Sequence, residues 1–250
     1  AIIQIGTELA VILYFRHDII RILGAWFGSL FGKEGKDFKS RMGAHNPDTQ
    51  MGWFIILGTM PILIAGLLFK HAIEGSLRNL WITVTVLALF GVLLWVVDAR
   101  SKQVKTMKEM TWKDALIFGI GQMLALIPGV SRSGGTITFG RAMGYTREAA
   151  VRVSFLMAIP AVFGAGILEA VSAVKDVAAG DAGMFPGWGP TIAAAIVAFV
   201  VGYVVIIGFL KFVSTFSYKA FAIYRIGLAI VVALLLITGV LSPLEAAAAA

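Results

Sequence analysis

The sequence predicts an all-α integral membrane protein with six transmembrane helices, a re-entrant helical hairpin and an inverted-topology repeat. Three observations predict it. Of 250 residues, 59% are hydrophobic and only 14% charged, against roughly 25% charged in soluble domains. A soluble helical protein with so little polar surface would aggregate. The apolar residues gather in long segments, most of them near the ~20 residues that a helix needs to cross hydrocarbon. The stretches between segments are rich in Lys and Arg, as cytoplasmic loops are, so the net charge of +7 reads as loop charge rather than as a nucleic-acid surface. Cysteine is absent, which excludes disulfides and thiolate metal sites.

The expected spans cover residues 1–15, 52–69, 79–97, 148–171, 189–210 and 220–241. The opening "AIIQIGTELAV" has no basic n-region of a cleavable signal and reads as the inside of a protein; the closing "LEAAAAA" is given no role. Residues 16–50 form the longest loop, with Ile19–Phe31 as an amphipathic extension along the interface. Pro61 and Pro160 fall inside spans and kink them.

One apolar segment is too short to cross. Ala115–Ile127 has 13 residues, about 20 Å of helix, and ends at Pro128-Gly129. After the polar turn "VSRSGGT", Thr136–Met143 forms a short returning half-helix. Non-helical backbone at that depth survives only where protein or a water-filled cavity covers it. The expected form is a hairpin that enters and leaves on one side, against a surface loop between ordinary helices.

The chain repeats itself. Lys70 and Lys211, and likewise Ser76 and Ser217, stand 141 positions apart, each pair followed by an apolar span. Three spans, a hairpin and three more spans invert the second half relative to the first, the architecture that places sites at mid-membrane from broken helices. Within one membrane domain, 1–250, half one is 1–97, a linker follows at 98–111, and half two is 112–241 with its hairpin at 112–144. On this topology one face receives sixteen Lys and Arg and the other three, so the basic face is cytoplasmic and the C-terminus external.

Arg132 and Arg225 fall within the membrane region, where an arginine needs a partner or a cavity. Around Arg132 a guanidinium fork, hydroxyls, the permissive Gly134-Gly135 backbone and a half-helix N-terminus capped by Ser133 converge, which describes an anion site suited to phosphate. The alternative is that Arg132 pairs with Glu8 or Glu169 and locks the hairpin. Arg225 has no such companions, and a structural pair is as good a reading as ligand contact.

"GQMLALIPGVSRSGGTITFGRAMG" resembles a signature of the undecaprenyl-diphosphate phosphatase family, the bacitracin-resistance membrane phosphatases. "AIIQIGTELAVILYFR", "GWFIILGTMPILIAGLLFK" and "YRIGLAIVVALLL" are similar to that family's spans in the same order. The resemblance implies a plasma-membrane protein of inverted repeats with two re-entrant hairpins. It implies hydrolysis of undecaprenyl diphosphate to the monophosphate, recycling the cell-wall lipid carrier at a site open to the external face. It assigns Arg132, Ser131 and Ser133 to catalysis, and the same three with Gly134, Gly135, Thr136 and Gln122 to substrate binding.

The family's first signature, glutamates on a half-helix followed by a Ser/Gly/His turn, is not found. His17, His45 and His71 lie in or beside loops, and Glu8 does not reproduce the spacing. A partner hairpin carrying the nucleophile and the general acid or base is therefore expected before Ala1, without which this chain would be inactive. No metal ligands are assigned. A divalent cation, Mg or Ca, is a possible cofactor, held by the diphosphate itself. Expected partners are the polyprenyl diphosphate and the bilayer, no nucleic acid, and a homodimer as an open expectation. The competing readings are a transporter or flippase for an anionic lipid, and an inactive fragment.

Overall fold

Each helix begins or ends where the sequence supplies a reason. The computed structural model describes residues 2–178 and 187–244. Helix α1 (Ile2–Tyr14) gives way at the buried Phe15 to α2 (Arg16–Leu30). Asp37 caps α3 (Phe38–Arg41), its carboxylate accepting from the Ser40 N–H at 3.1 Å and the Ser40 hydroxyl at 2.6 Å. The Asn46 side-chain Oδ1 accepts from the Asp48 N–H at 2.9 Å, and Pro47 opens α4 (Pro47–Leu68), where its missing N–H costs nothing. A short α5 (Lys70–Glu74) and a 3-10 turn precede Asn79, which accepts from the Trp81 N–H at 2.8 Å and starts α6 (Leu80–Arg100).

A reciprocal capping box between Thr111 and Asp114, at 3.2 and 3.1 Å, opens α7 (Trp112–Met123). The remaining helices are α8 (Arg132–Ala142), α9 (Arg147–Ala178), α10 (Trp188–Thr215) and α11 (Lys219–Ile237). Among the described residues there is no strand. Helices α4, α6, α10 and α11 are long and apolar enough to cross a bilayer, and the protein is therefore an all-helical, multi-pass membrane protein. Pro61 and Pro160 lie inside α4 and α9 as the sequence predicts.

Within the stretch 16–50, α2 covers the amphipathic extension expected over Ile19–Phe31, and the short α3 is an addition to the expected loop. Apolar residues at 19, 22, 23, 26 and 27 recur at helical spacing there, which outweighs the polar composition.

The chain divides into two compact units. The first is Ala1–Trp53 with Phe155–Phe212. In it α1 and α10 meet through small residues, so closely that a Cβ on Gly6 would lie 2.1 Å from the Ala195 carbonyl oxygen. Such contacts are how helices associate where lipid removes the hydrophobic drive. The second is Phe54–Ser154 with Val213–Ala250. There α6 packs on α11 around Val84, Ala229 and Leu236, and α7 pairs with α8.

Candidate active site at the tip of the α7–α8 hairpin

Helix α7 has 12 residues and α8 has 11, about 18 and 16 Å of rise, so each half-helix is too short for the ~30 Å of hydrocarbon. They cross at glycines: a Cβ on Gly135 would lie 2.4 Å from the Gly121 carbonyl oxygen, and one on Gly140 2.3 Å from the Phe118 ring. The tip is pressed onto α6. Gly129 stands at φ +100°, and a Cβ there would come within 2.4 Å of the Thr83 carbonyl oxygen. Only glycine meets both demands.

Ser131 is the strained residue of the site, at φ +68° and ψ 126°. A side chain in that region costs about 1–3 kcal/mol and persists where the surroundings enforce it. Here the return is a cap: the Ser131 hydroxyl accepts from the Gly134 N–H at 3.3 Å, and its carbonyl from the Gly135 N–H at 2.8 Å. The cap is thus Ser131 and not Ser133, which lies one turn-step inside the helix. The reason is the reversal at Gly129–Ser131, which makes Ser131 the last non-helical residue, the position whose oxygen faces the third helical N–H.

The other predicted site residues are placed as follows. Arg132 is the first residue of α8 and half-buried, and Ser133 follows it, half-buried. The Ser133 hydroxyl has no hydrogen-bond partner among the described residues. Gly134, Gly135 and Thr136 are buried; the Thr136 hydroxyl donates to the Arg132 carbonyl at 2.8 Å. Gln122, on α7, is wholly buried, and neither polar atom of its amide has a partner among the described residues. Glu8 is half-buried on α1. The Glu169 side chain lies outside the described residues. His17, His45 and His71 are exposed.

Arg225 settles into a role the sequence left open. From α11 its Nη2 donates to the carbonyls of Gly129 and Val130 at 2.6 and 2.9 Å. Its Nη1 lies 2.5 Å from where a Cβ on Gly134 would stand, while its Nε, also buried, has no partner among the described residues. Arg225 therefore holds the tip by its backbone rather than through a carboxylate, and it places a second guanidinium over the first turn of α8.

The far end of α8 carries a cluster that sequence reasoning missed. Asp98, in the last turn of α6, accepts from Arg141 Nε at 2.8 Å, from Arg147 at 3.0 Å and from the Tyr218 N–H at 3.1 Å. Arg141, with no exposed surface, also donates to the carbonyls of Asp98 and Tyr145. Tyr145 donates to Asp114 at 2.9 Å; burial and that bond push its phenol above its ordinary pKa. On the sequence topology Arg141 and Arg147 count only among the sixteen cations of the basic face. The available signal was Asp98, the single carboxylate in the apolar run of α6.

Among the described residues no three His, Cys, Asp or Glu side chains form a group that could hold a metal, so they supply no coordination set for a resident divalent cation.

What the tip can do follows from its inventory. The Arg225 guanidinium stands over the positive end of α8, and such a pairing in low dielectric stabilises anionic charge far better than water does.

Residues 1–231 match the family model described as Bacitracin resistance protein BacA. An undecaprenyl-diphosphatase of Bifidobacterium adolescentis is 92% identical over 250 residues, covering 100% of this chain and 85% of that protein. One from Bifidobacterium animalis subsp. lactis is 76% identical over 245 residues, 98% of this chain and 82% of that protein. A third, from Pseudarthrobacter chlorophenolicus, is 51% identical over 243 residues, 97% and 83% of the two chains.

Proposed function

We infer that this chain, which belongs to the bacitracin resistance protein BacA family, hydrolyses undecaprenyl diphosphate to undecaprenyl monophosphate and phosphate. The relatives named above are undecaprenyl-diphosphatases and match nearly all of it. Its place is the bacterial plasma membrane, its substrate a polyprenyl diphosphate, and its role the recycling of the cell-wall lipid carrier.

The observation that carries the site is polarity left unspent at the hairpin tip. Among the described residues the Gln122 amide and the Arg225 Nε are buried without partners, which costs about 1–3 kcal/mol for each group unless a ligand supplies what is missing. A diphosphate supplies acceptors for the Gln122 Nε2 and the Arg225 Nε.

In this reading Arg132 binds the phosphate oxygens as a bidentate fork, with Ser131, Ser133 and the positive end of α8 completing the cradle. Charge that shifts to the bridging oxygen as the terminal P–O bond breaks is stabilised by the same donors. The oxygen that forms the new P–O bond comes ultimately from water; the bond from the terminal phosphorus to the bridging oxygen breaks in line, the bridging oxygen leaves with the lipid monophosphate, and the terminal group is released as inorganic phosphate. Arg132, Ser131, Ser133, Gly134, Gly135, Thr136 and Gln122 are the proposed contacts, and the attacking group is not among them.

Six spans in an inverted repeat remain our reading of the whole. Support comes from helix boundaries: α4 begins at Pro47 and α10 at Trp188, again 141 positions apart. Basic loops are placed in the cytoplasm and the C-terminus outside.

The test is phosphate release from a polyprenyl diphosphate by the purified full-length protein in detergent. Multiple turnovers are expected. Tight binding of the lipid with no phosphate released would reject hydrolysis in favour of a carrier.

A further inference from the structure

Helix α2 divides its circumference between two environments. Ile22 and Ser29 are buried, the Ser29 hydroxyl donating to the carbonyls of Ser40 and Arg41 at 3.2 and 3.0 Å. The Trp26 ring lies 5.4 Å from that of Trp53. The opposite arc is open: Ile20 is 68% exposed, Leu23 47% and Phe27 50%. At 100° per residue these three lie within roughly 60° of one another. Phe31, just past the helix, extends the stripe at 88% exposed.

This stripe does not belong to a transmembrane span. Helix α2 has 15 residues and begins Arg16-His17-Asp18, with Arg21 one turn later. It is too short and too polar to cross hydrocarbon.

The charges around it are sorted. In the turn that follows, Lys33, Lys36, Lys39 and Arg41 are all exposed, beside the exposed Phe38. The acids of the same stretch are each engaged by a neighbour, although Asp37 is itself exposed. Glu34 accepts from Asn46 and Thr49, Asp37 accepts from Ser40, and Asp18 and Asp48 hold Arg21. Positive charge is left facing outward next to an open apolar stripe.

We propose that α2 and the basic turn behind it lie along the bilayer surface, with Ile20, Leu23, Phe27 and Phe31 at the boundary of headgroups and acyl chains. Lys33, Lys36, Lys39 and Arg41 then contact anionic phospholipid headgroups. An apolar stripe with flanking cations is the composition of an interfacial helix, and basic residues near an anionic surface are attracted within a Debye length of it. Lipid is the occupant the charges select, because a second copy of this strongly basic patch would repel the first.

The chain has no cysteine, so single reporters are unambiguous. Full-length protein with Phe27→Cys or Phe31→Cys is labelled with nitrobenzoxadiazole and reconstituted in vesicles of phosphatidylglycerol and phosphatidylcholine. Lipids carrying a doxyl group near the headgroup should quench both labels at least roughly twofold more than lipids labelled deep in the chain. A label at His45→Cys should instead stay accessible to aqueous iodide. Replacing Lys33, Lys36 and Lys39 by Gln, or omitting phosphatidylglycerol, should reduce the shallow quenching by about half or more. Iodide access at 27 and 31 equal to that at 45, or stronger quenching from the deep label, would overturn the proposal. Protection from lipid and iodide alike would overturn it in favour of a protein cover. Equal shallow quenching with and without phosphatidylglycerol would overturn anionic headgroups as the partner. Leu23→Cys replaces either phenylalanine variant if it loses helical content or monodispersity.

Discussion

The two ends of α8 set a closed cluster against an open one. At the base, Asp98 is met by Arg141, Arg147 and the Tyr218 N–H, and Tyr145 ties Asp114 beside it. At the tip, Gln122, the Ser133 hydroxyl and the Arg225 Nε have no partner among the described residues, and Ser131 holds a left-handed conformation. The base buries charge and spends it on protein. The tip buries polarity and keeps it in reserve. A half-helix fixed at its base can hold strained, unsatisfied groups at its tip, and such groups are what a ligand can use.

The sharpest test of that contrast is Arg132→Ala. Loss of the tip guanidinium should lower kcat/KM by about 100- to 1,000-fold while thermal unfolding in detergent stays near that of the parent. Arg132→Lys should recover little, since a point charge does not replace a planar fork. Near-parental phosphate release by the alanine variant would reject Arg132 as a phosphate ligand.

Asp98→Ala should show the opposite signature. It leaves two arginines facing each other, one fully buried, and should cost about 3–5 kcal/mol, read as a lowered unfolding midpoint and reduced folded yield. Any folded fraction should retain most of its turnover per molecule. If that variant unfolds like the parent, the base is not the anchor.

Arg225→Met should fall between the two. It leaves the Gly129 and Val130 carbonyls without their charged donor, about 1–3 kcal/mol, and loosens the tip. A tenfold or somewhat larger loss of kcat, roughly what slight misplacement of reacting groups costs, is expected alongside a modest drop in stability. A change in stability alone would confine Arg225 to packing.

Gln122→Leu is the smallest effect and the most discriminating. Because both amide atoms lack partners, their removal should leave stability unchanged or raise it. Loss of one ligand hydrogen bond should reduce kcat/KM by about tenfold or less. Destabilisation would show that the amide is already spent on protein or buried water.

The hairpin was legible because its signal is local. A 13-residue apolar segment ending in Pro-Gly cannot cross a bilayer, and the polar turn after it marks the reversal. Even so, the choice between Ser131 and Ser133 as cap depended on which residue is last outside the helix, a matter of backbone angles. The base cluster was not legible. Asp98 finds Arg141 and Arg147 across 43 and 49 residues, and nothing in the run "LLWVVDAR" says which cations it meets. Arg225 reaches carbonyls 95 and 96 residues away, and backbone acceptors leave no trace in composition.

By itself, then, the sequence determined the solvent and the scale. Long apolar runs require lipid, a short one requires a re-entrant turn, and an arginine amid serines and glycines requires an anion or a counter-ion. Only the tertiary structure decided how each buried arginine is satisfied. Arg141 is closed onto a carboxylate, whereas Arg225 is spent partly on carbonyls and left partly open. The physical reason is that composition sets the cost of burying a charge, but the group that offsets it is chosen by packing between helices far apart in the chain.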